Sequence, residues 1–256
     1  REDIENYTLD NLKTWYQKNY APNNASIVIV GDVNPNDTYE TVKKHFKDIP
    51  SIEISTPKID ESLFNIGYRH QEIQKKPNDI DAVILGYITP SLTVDFSDND
   101  PYALMLLNSI MGSADASILQ QLLVRDENLC CYLDTDYSPF TNGEELFIVS
   151  AVANQEQDIS DIQDRIENII KNLKTDGVTE EQLTRAKVTI KADKIFSMDS
   201  IETQANLIGS LASVNLDVDY HKYIEKLYDV TSSDVNRVLN KYFSRDNLTS
   251  LHLLKD

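Results

Sequence analysis

Two stretches near opposite ends of the chain, Thr8–Val33 and Thr231–Leu254, align without a gap, and this repeat restricts the possible folds more than any other feature. The first reads TLDNLKTWYQKNYAPNNASIVIVGDV and the second TSSDVNRVLNKYFSRDNLTSLHLL. In each copy a helical pattern follows a threonine, and a strand-like run closes the unit. Two copies separated by a long interval indicate a duplicated domain and not a solenoid. Because the first copy starts close to Arg1, we expect the chain to begin partway through the earlier domain.

The first copy predicts its local structure in detail. Leu9, Leu12, Tyr16 and Tyr20 recur at the spacing that places them on one apolar face of a helix. Ser26–Val30 is an almost wholly β-branched run, which predicts a buried strand. We therefore expect an amphipathic helix followed by a strand inside a core.

Between the two copies, strands come in pairs and helices come in runs. Strands are predicted at Phe64–Ile73, Asp81–Thr89, Cys130–Asp136 and Glu145–Val152. Helices are predicted at Asp100–Met111, Ala116–Arg125, Ser160–Leu173, Thr179–Ser197, Ser200–Val214 and Tyr220–Leu227. This order predicts an α+β fold, with a mainly antiparallel sheet and helices layered on one face.

The charge of the chain bears on the class of its partners. The formal net charge is −18, and contacts to phosphate require clustered lysine and arginine, so we expect no nucleic acid partner. The charge indicates a well-solvated acidic surface, with attraction for basic peptides as the alternative. No apolar run approaches the length of about 20 residues that spans a bilayer, so no membrane span is expected.

Cys130 and Cys131 are the two cysteines of the chain and are adjacent. Neighbouring cysteines cannot join distant segments, and a bond between them is strained. Both are predicted to be buried strand residues, and they indicate nothing about the redox compartment.

The histidines give no pattern for a metal site. His45, His70, His221 and His252 are far apart, and neither H-E-x-x-H nor H-x-x-E-H occurs. His70 is interpreted as a surface residue and His45 as a helix-end residue, and no metal ligand is expected in this chain. The acidic stretch Asp95–Asp100 lacks the glycine and glutamate of a calcium loop and is interpreted as a helix-capping loop.

Motifs for other chemistry are also absent from the sequence. It contains no glycine-rich phosphate loop and no G-x-S-x-G sequence. The residues by themselves therefore reveal no self-sufficient active site.

An ordered set of short motifs nevertheless resembles a known family. The motifs are Asp3–Leu9, Tyr20–Asn24 (YAPNN), Val28–Val33 (VIVGDV), Val42–Phe46, Leu85–Tyr87 with Pro90, Ala116–Tyr132, Lys191–Lys194 and Asp199–Ser200. Together they resemble the pitrilysin/insulinase/mitochondrial processing peptidase family of zinc peptidases, in particular its shorter bacterial secreted or periplasmic members.

The resemblance implies a domain organisation and a function. Residues 1–48 would close the first, catalytic-type domain, residues 49–63 would form a linker, and residues 64–256 would form the second, non-catalytic homologous domain. The chain would be the C-terminal part of a zinc-dependent metalloendopeptidase and would form the second wall of a peptide-binding chamber. The family holds its zinc on an inverted H-x-x-E-H helix, which would lie upstream, so this chain alone is expected to be inactive and to need no cofactor.

The resemblance also implies residues that contact the substrate. Some second domains of the family carry an arginine and a tyrosine that grip the peptide. The arginine position falls at Ser117 or Ile118 and is lost, and the tyrosine falls at Cys131 or Tyr132. Tyr132 and a helix-end arginine, Arg125, are the candidate substrate-binding residues, and a packing role is the alternative for each.

Two other functions stay open from the sequence. The parent protein could be a non-catalytic substrate-binding or structural subunit of a peptidase complex, or the chain could be an unrelated acidic binding module. The resemblance implies a peptide or unfolded protein as substrate, a homodimer or a heterodimer with a related subunit, and a periplasmic or secreted location. An H-x-x-E-H sequence upstream would separate an active peptidase from a non-catalytic subunit.

Overall fold

The computed structural model describes residues 2–54, 67–74, 76, 78–94, 98–216 and 220–255. The chain divides into two compact units, one formed by Arg1–Phe64 with Ser197–Asp217 and the other by Asn65–Phe196 with Val218–Asp256. Residues 55–63 of the predicted linker lie outside the described residues, and residues 50–54 form neither helix nor strand.

The helices within the described residues agree closely with the sequence prediction. They are α1 (Glu2–Glu5), α2 (Leu9–Asn19), α3 (Pro35–Phe46), α4 (Asp100–Asn108), α5 (Ile159–Asp176), α6 (Glu180–Ser197), α7 (Ile201–Ser213), α8 (Tyr220–Asp229) and α9 (Ser232–Tyr242). The capping box predicted before α6 is present, since Gln182 N–H donates to Thr179 Oγ1 at 3.2 Å and Thr179 N–H donates to Gln182 Oε1 at 2.9 Å. None of these helices combines the length and hydropathy that a membrane span requires.

The second unit is built on one sheet. Its described strands are β1 (Arg69–Gln74), β2 (Ala82–Pro90), β3 (Cys130–Asp136), β4 (Glu144–Ala153) and β5 (Leu248–Leu254), in the spatial order β1-β5-β2-β4-β3. Every pair of neighbours is antiparallel except β1 and β5, which are parallel. The predicted α+β fold with a mainly antiparallel sheet is confirmed.

One face of this sheet forms the core. Val83, Leu85 and Tyr87 alternate along β2 and are buried, while Phe147 and Val149 are buried directly opposite on β4. Helices α4, α5 and α9 each contact β2. Since side chains alternate between the two faces of a strand, burial of every second residue places the helices on one side, as predicted.

Helix α5 shows why the helical period could be read correctly. Ile162, Ile166, Ile169 and Leu173 are all buried, and they lie on one face of the helix. The helix ends at Gly177, whose φ of +79° is a conformation that glycine adopts without strain.

The repeat is visible in three dimensions. Helices α2 and α9 each contain eleven residues and each begins with a capping box, formed by Thr8 with Asn11 and by Thr231 with Asp234. The 3₁₀ turns that follow are Pro22–Asn24 and Arg245–Asn247. The duplicated helix and turn are therefore confirmed.

The two copies differ after the turn. In the second copy the chain enters β5, which pairs with both β1 and β2. In the first copy Ser26–Val30 forms no strand with any described residue, and the side chains of Ile27 and Ile29 are about half exposed. The prediction of a buried strand at Ser26–Val30 is wrong for this chain, because a lone extended segment has no neighbouring strand to pair its backbone groups.

The apolar face of α2 exists but is not covered by the described residues. Leu9, Leu12, Tyr16 and Tyr20 lie at the predicted helical spacing, yet each side chain is more than half exposed. The helical period was therefore predicted correctly, while a period alone cannot show what packs against it.

The two cysteines have different environments. Cys130 is buried, as predicted, but Cys131 is exposed, so the prediction that both are buried is wrong. The physical reason is a register shift in β3 between Cys130 and Tyr132, where an additional residue interrupts the pairing with β4. At such a bulge the strict alternation of faces is lost, and both Cys131 and Tyr132 face outwards.

The predicted capping loop Asp95–Asp100 is described only from Asp98 onward. There, the backbone N–H of Asp100 donates to Asp98 Oδ1 at 3.0 Å. The described end of the stretch thus satisfies a backbone donor in the first turn of α4, as a capping role requires.

Candidate functional site

The second unit contains a cleft of mixed polar and apolar lining, with a volume of about 720 Å³. It lies between α4, the turn that follows α4, and α6. The lining residues are Met105, Asn108, Ser109, Ile110, Ser113, Ala114, Asp115, Ala116, Tyr137, Gln182, Arg185, Ala186, Thr189, Ile190, Asp193 and Lys194. This volume is within the range of ligand-binding clefts.

One wall of the cleft is a turn that the sequence prediction missed. The predicted helix Asp100–Met111 is α-helical only to Asn108, and Ser109–Ser113 forms a π-helical turn. The predicted helix Ala116–Arg125 likewise becomes a π-helical segment at Gln120–Asp126. Single π-helical turns occur often at functional sites.

Gly112 explains how the π-turn reaches the sheet. A Cβ at this position would overlap the side chain of Thr135 on β3, so the turn can approach the strand this closely only with glycine. Thr135 Oγ1 donates a hydrogen bond to the carbonyl oxygen of Asn108 at 3.2 Å. These contacts fix the end of α4 and therefore the shape of the cleft wall.

Asn108, a residue of the cleft lining, carries a buried acceptor without a donor in the described part of the chain. Asn108 Oδ1 is buried and has no hydrogen-bond partner among the described residues. A buried unsatisfied polar group is unfavourable by about 1–3 kcal/mol.

Tyr137 forms a rigid part of the lining. Its hydroxyl donates to the carbonyl oxygen of Pro90 at 2.6 Å, and the residue is only 6% exposed. Burial raises the pKa of Tyr137 well above its ordinary value. The phenol therefore stays neutral and serves as a fixed surface.

The charged groups of the cleft have both signs. Asp115 and Asp193 are acidic, and Arg185 and Lys194 are basic. Burial lowers the pKa of Lys194, while the nearby carboxylate of Asp193 opposes the shift. The lining includes no histidine, cysteine or glutamate, and no three potential metal ligands meet there among the described residues.

A buried carboxylate positions the start of α4. Asp100 is fully buried and accepts hydrogen bonds from Lys241 Nζ at 2.8 Å and Tyr242 Oη at 2.6 Å, and it also pairs with Arg237. Burial acts to raise the pKa of Asp100, but the hydrogen bonds of its three partners outweigh burial and hold the pKa below its ordinary value. Helix α4 is thereby tied to α9 at one end.

The substrate-binding residues predicted from the sequence lie elsewhere. Arg125 is exposed near the end of the π-helical segment, and Tyr132 is 53% exposed on β3. Neither belongs to the described lining of the cleft. Ser117, one of the two positions aligned with the family arginine, is buried.

The structure brings together one set of potential metal ligands that sequence spacing could not reveal. Atoms of His70, Glu72 and His252 that can bind a metal all lie within 4.8 Å of one another. His70 and Glu72 belong to β1 and His252 to β5, and only the pairing of these two strands unites them. His45 is exposed on α3 and is not part of this cluster.

The second unit is an α+β domain with a cleft between α4 and α6. Comparison with known families shows the class of protein to which it belongs. A family described as the Peptidase M16 inactive domain matches residues 6–189. The chain belongs to this family, which confirms the resemblance to zinc peptidases.

Two curated relatives have informative names. The chain is 29% identical over 255 residues to the zinc protease PqqE of Helicobacter pylori, an alignment that covers 98% of this chain and 56% of the relative. It is 19% identical over 242 residues to a Bacillus subtilis protein named "Probable inactive metalloprotease YmfF", covering 91% and 53%. The chain thus spans just over half the length of these relatives.

Solved structures share the fold. A crystal structure of a protease from Helicobacter pylori matches with a TM-score of 0.91 and 29% identity, covering 100% of this chain and 60% of that one. The periplasmic protease PqqL of Escherichia coli matches with a TM-score of 0.74 and 12% identity, covering 100% and 29%. The α+β architecture is therefore that of M16 peptidase domains.

Proposed function

We propose that this chain forms the second, non-catalytic wall of the peptide-binding chamber of a zinc metalloendopeptidase, and that the cleft between α4 and α6 contacts the peptide. The observation that carries this proposal is the lining of the cleft. It combines an unpaired buried acceptor at Asn108 with charges of both signs, and its described part has no zinc donor set. These features support peptide binding without cleavage.

The catalytic zinc is assigned to the part of the parent protein that precedes this chain. Relatives about twice as long as the matched region are named zinc proteases, and the chain itself contains no H-x-x-E-H helix. The apolar face of α2, formed by Leu9, Leu12, Tyr16 and Tyr20, is left uncovered by the described residues and supports this arrangement. A preceding segment of the same domain would bury that face and would supply strand partners for Ser26–Val30.

Arg125 and Tyr132 are proposed as additional substrate contacts outside the cleft. Both side chains are exposed and therefore accessible to a peptide. Arginine donates up to five hydrogen bonds and suits peptide carbonyls and carboxylates, whereas an exposed tyrosine adds apolar contact and one hydroxyl. If they bind substrate, replacing either by alanine raises KM without lowering Tm, while a packing role lowers Tm instead.

One relative favours a second candidate function. YmfF is named as an inactive metalloprotease, so a parent protein of this type could hold substrate for an active subunit. The cleft would then have the same binding role. An intact H-x-x-E-H sequence in the preceding part of the parent protein favours the peptidase, and its loss favours the substrate-binding subunit.

We also propose partners and a location from the resemblance to this family. A peptide or unfolded protein is the proposed substrate, and the proposed assembly is a homodimer or a heterodimer with a related subunit. One solved structure with this fold is that of a periplasmic protease, in keeping with a periplasmic or secreted location.

Filling the cleft tests the proposed function. In the full-length protein, Thr189→Trp places a large side chain among the lining residues of α6, and we expect KM for a peptide substrate to rise by about tenfold or more, since each factor of ten corresponds to about 1.4 kcal/mol of binding. Thr184→Trp is the matched control, because Thr184 is exposed on the same helix and does not line the cleft. Equal KM values in the two variants, with unchanged Tm, would contradict the proposal.

A further inference from the structure

A group of polar side chains lies where the edge strand β1 pairs with β5. In this parallel pair His70 lies opposite Ser250, and Glu72 lies opposite His252. Residues two apart on a strand point to the same face, so all four side chains share one face. Helix α5 adds Gln163, which is buried against them.

The hydrogen bonds of Gln163 determine which of its atoms faces the histidine. Its Nε2 donates to Glu167 Oε1 at 2.8 Å and to Tyr68 Oη at 3.3 Å. Its Oε1 must therefore accept the hydrogen bonds from Ser250 Oγ at 2.6 Å and His252 Nε2 at 2.7 Å. Consequently the proton of the neutral His252 ring is on Nε2.

This tautomer leaves His252 with an unused lone pair. Its Nδ1 is buried and has no hydrogen-bond partner among the described residues, and the residue is only 4% exposed. A buried acceptor without a partner is unfavourable. A bound cation would satisfy it, and a metal-binding histidine commonly donates its other N–H to an oxygen, as Nε2 does here to Gln163.

The same reasoning places a lone pair on His70. Because Ser250 donates its hydroxyl proton to Gln163, its oxygen accepts from His70 Nδ1–H at 3.2 Å. In the neutral ring, His70 Nε2 then carries the lone pair, and it lies 3.4 Å from Glu72 Oε1. A lone pair and a carboxylate oxygen repel each other unless a positive charge lies between them.

We propose that His70, Glu72 and His252 form a site for a transition-metal dication, with Zn²⁺ as the ion that the donors suit best. Two imidazole nitrogens and one carboxylate oxygen are zinc donors, whereas calcium and magnesium favour oxygen ligands. One potential ligand atom of each residue lies within 4.8 Å of those of the other two. Donors of a tetrahedral ion bound at about 2 Å are roughly 3.3 Å apart, so the exposed side chains of His70 and Glu72 have only a short distance to move.

The site is additional to the peptidase zinc assigned to the preceding part of the protein, and it departs from the sequence-based expectation that this chain holds no metal. Its ligands come from adjacent strands, so the ion joins the edge strand β1 to β5. Binding that occurs only in the folded state stabilises that state. Its role is therefore to hold the edge of the sheet.

Metal titration of this chain tests the proposal. After metal is removed, Co²⁺ and Zn²⁺ are added separately, and we expect one equivalent to bind with a rise in Tm. His70→Asn and Glu72→Gln should each weaken binding by about tenfold or more. Both positions are exposed on an edge strand, so both variants are expected to fold, and circular dichroism verifies this.

Two controls separate this site from other binding. His45→Ala removes an exposed histidine of α3, and Gln71→Ala changes the opposite face of β1. Neither should alter affinity. Absence of binding by the unaltered chain, or an affinity of His70→Asn and Glu72→Gln equal to that of the unaltered chain, would overturn the proposal, whatever the outcome for peptide binding.

Discussion

Asn24 and Asn247 make the same hydrogen bond in the two copies of the repeat. Asn24 Nδ2 donates to the carbonyl oxygen of Asn19 at 2.8 Å, and Asn247 Nδ2 donates to that of Tyr242 at 3.1 Å. Each carbonyl belongs to the last residue of a helix, α2 or α9. The last carbonyl groups of a helix have no backbone N–H partner within the helix, and the asparagine side chain supplies one. The same bond holds the turn against the helix end.

The cap of α9 gives the first prediction. Thr231 Oγ1 accepts from the backbone N–H of Asp234 at 3.2 Å, so Thr231→Ala should lower the free energy of unfolding by about 1 kcal/mol. Urea unfolding followed by circular dichroism measures this. The control is Ser233→Ala, at an exposed position in the same turn. It should change the free energy of unfolding by less than about 0.5 kcal/mol. Equal effects of the two changes would show that the cap does not stabilise the helix.

The buried carboxylate of Asp100 gives the second prediction. Asp100→Asn keeps the size of the side chain but removes the charge that Arg237, Lys241 and Tyr242 contact. We expect the free energy of unfolding to fall by about 2 kcal/mol near neutral pH. The control is Asp229→Asn, which changes an exposed aspartate of α8. Its free energy of unfolding should stay within about 0.5 kcal/mol of the wild-type value.

The difference in free energy of unfolding between wild type and Asp100→Asn should depend on pH with a defined sign. The pKa of Asp100 is lower in the folded state, so its ionised form stabilises the protein above the unfolded-state pKa of about 3.9. That contribution is lost as the pH falls through the lower folded-state pKa. Urea unfolding of both proteins should show the difference between wild type and Asp100→Asn shrinking below about pH 4. A difference that grows on acidification would be inconsistent with an ionised Asp100.

The π-turn of the cleft gives the third prediction. Gly112→Ala introduces a Cβ that overlaps Thr135, and overpacking of this kind usually reduces stability by about 1–3 kcal/mol. Gly86→Ala is the control in the same unit, since its nearest neighbour would be Leu146 Cδ1 at an ordinary 3.5 Å. Thermal unfolding should show a clearly larger fall in Tm for Gly112→Ala. A tolerated Gly112→Ala, with unchanged peptide affinity, would mean that the turn can move away from β3.

The two thiols give the fourth prediction. Burial, assisted by Cys131 and Glu127, raises the pKa of Cys130 to about 12, whereas Cys131 is exposed. Because the thiolate is the reactive form, iodoacetamide should modify only Cys131 in the folded protein, as mass spectrometry would show. Cys131→Ser should abolish labelling until the protein is unfolded. Labelling of Cys130 in folded Cys131→Ser at a similar rate would contradict the buried environment.

Much of the fold could be predicted because its signals are local. The capping box at Thr179 and the apolar period of α5 depend on residues only a few positions apart, and both predictions were confirmed. The failures involve partners that are distant in sequence. Ser26–Val30 has strand-forming residues but no strand beside it among the described residues, and Cys131 turns outward because of a bulge.

The sites were harder to predict for the same reason. The cleft unites α4 with α6, and its π-turn depends on the contact between Gly112 and Thr135 rather than on a helical pattern. His70 and His252 meet only through the parallel pairing of β1 with β5. Arg125 and Tyr132 came from family resemblance, and their role in substrate binding stays a prediction.

Peptide hydrolysis by this chain and by its full-length parent, measured side by side with Zn²⁺ present, tests the central claim most directly. We expect the parent protein to cleave an unstructured peptide, and the chain alone to bind the same peptide without cleaving it, because its described cleft lacks a zinc donor set. Cleavage by the isolated chain, or an absence of peptide binding by it, would contradict the assignment of a non-catalytic, peptide-binding wall.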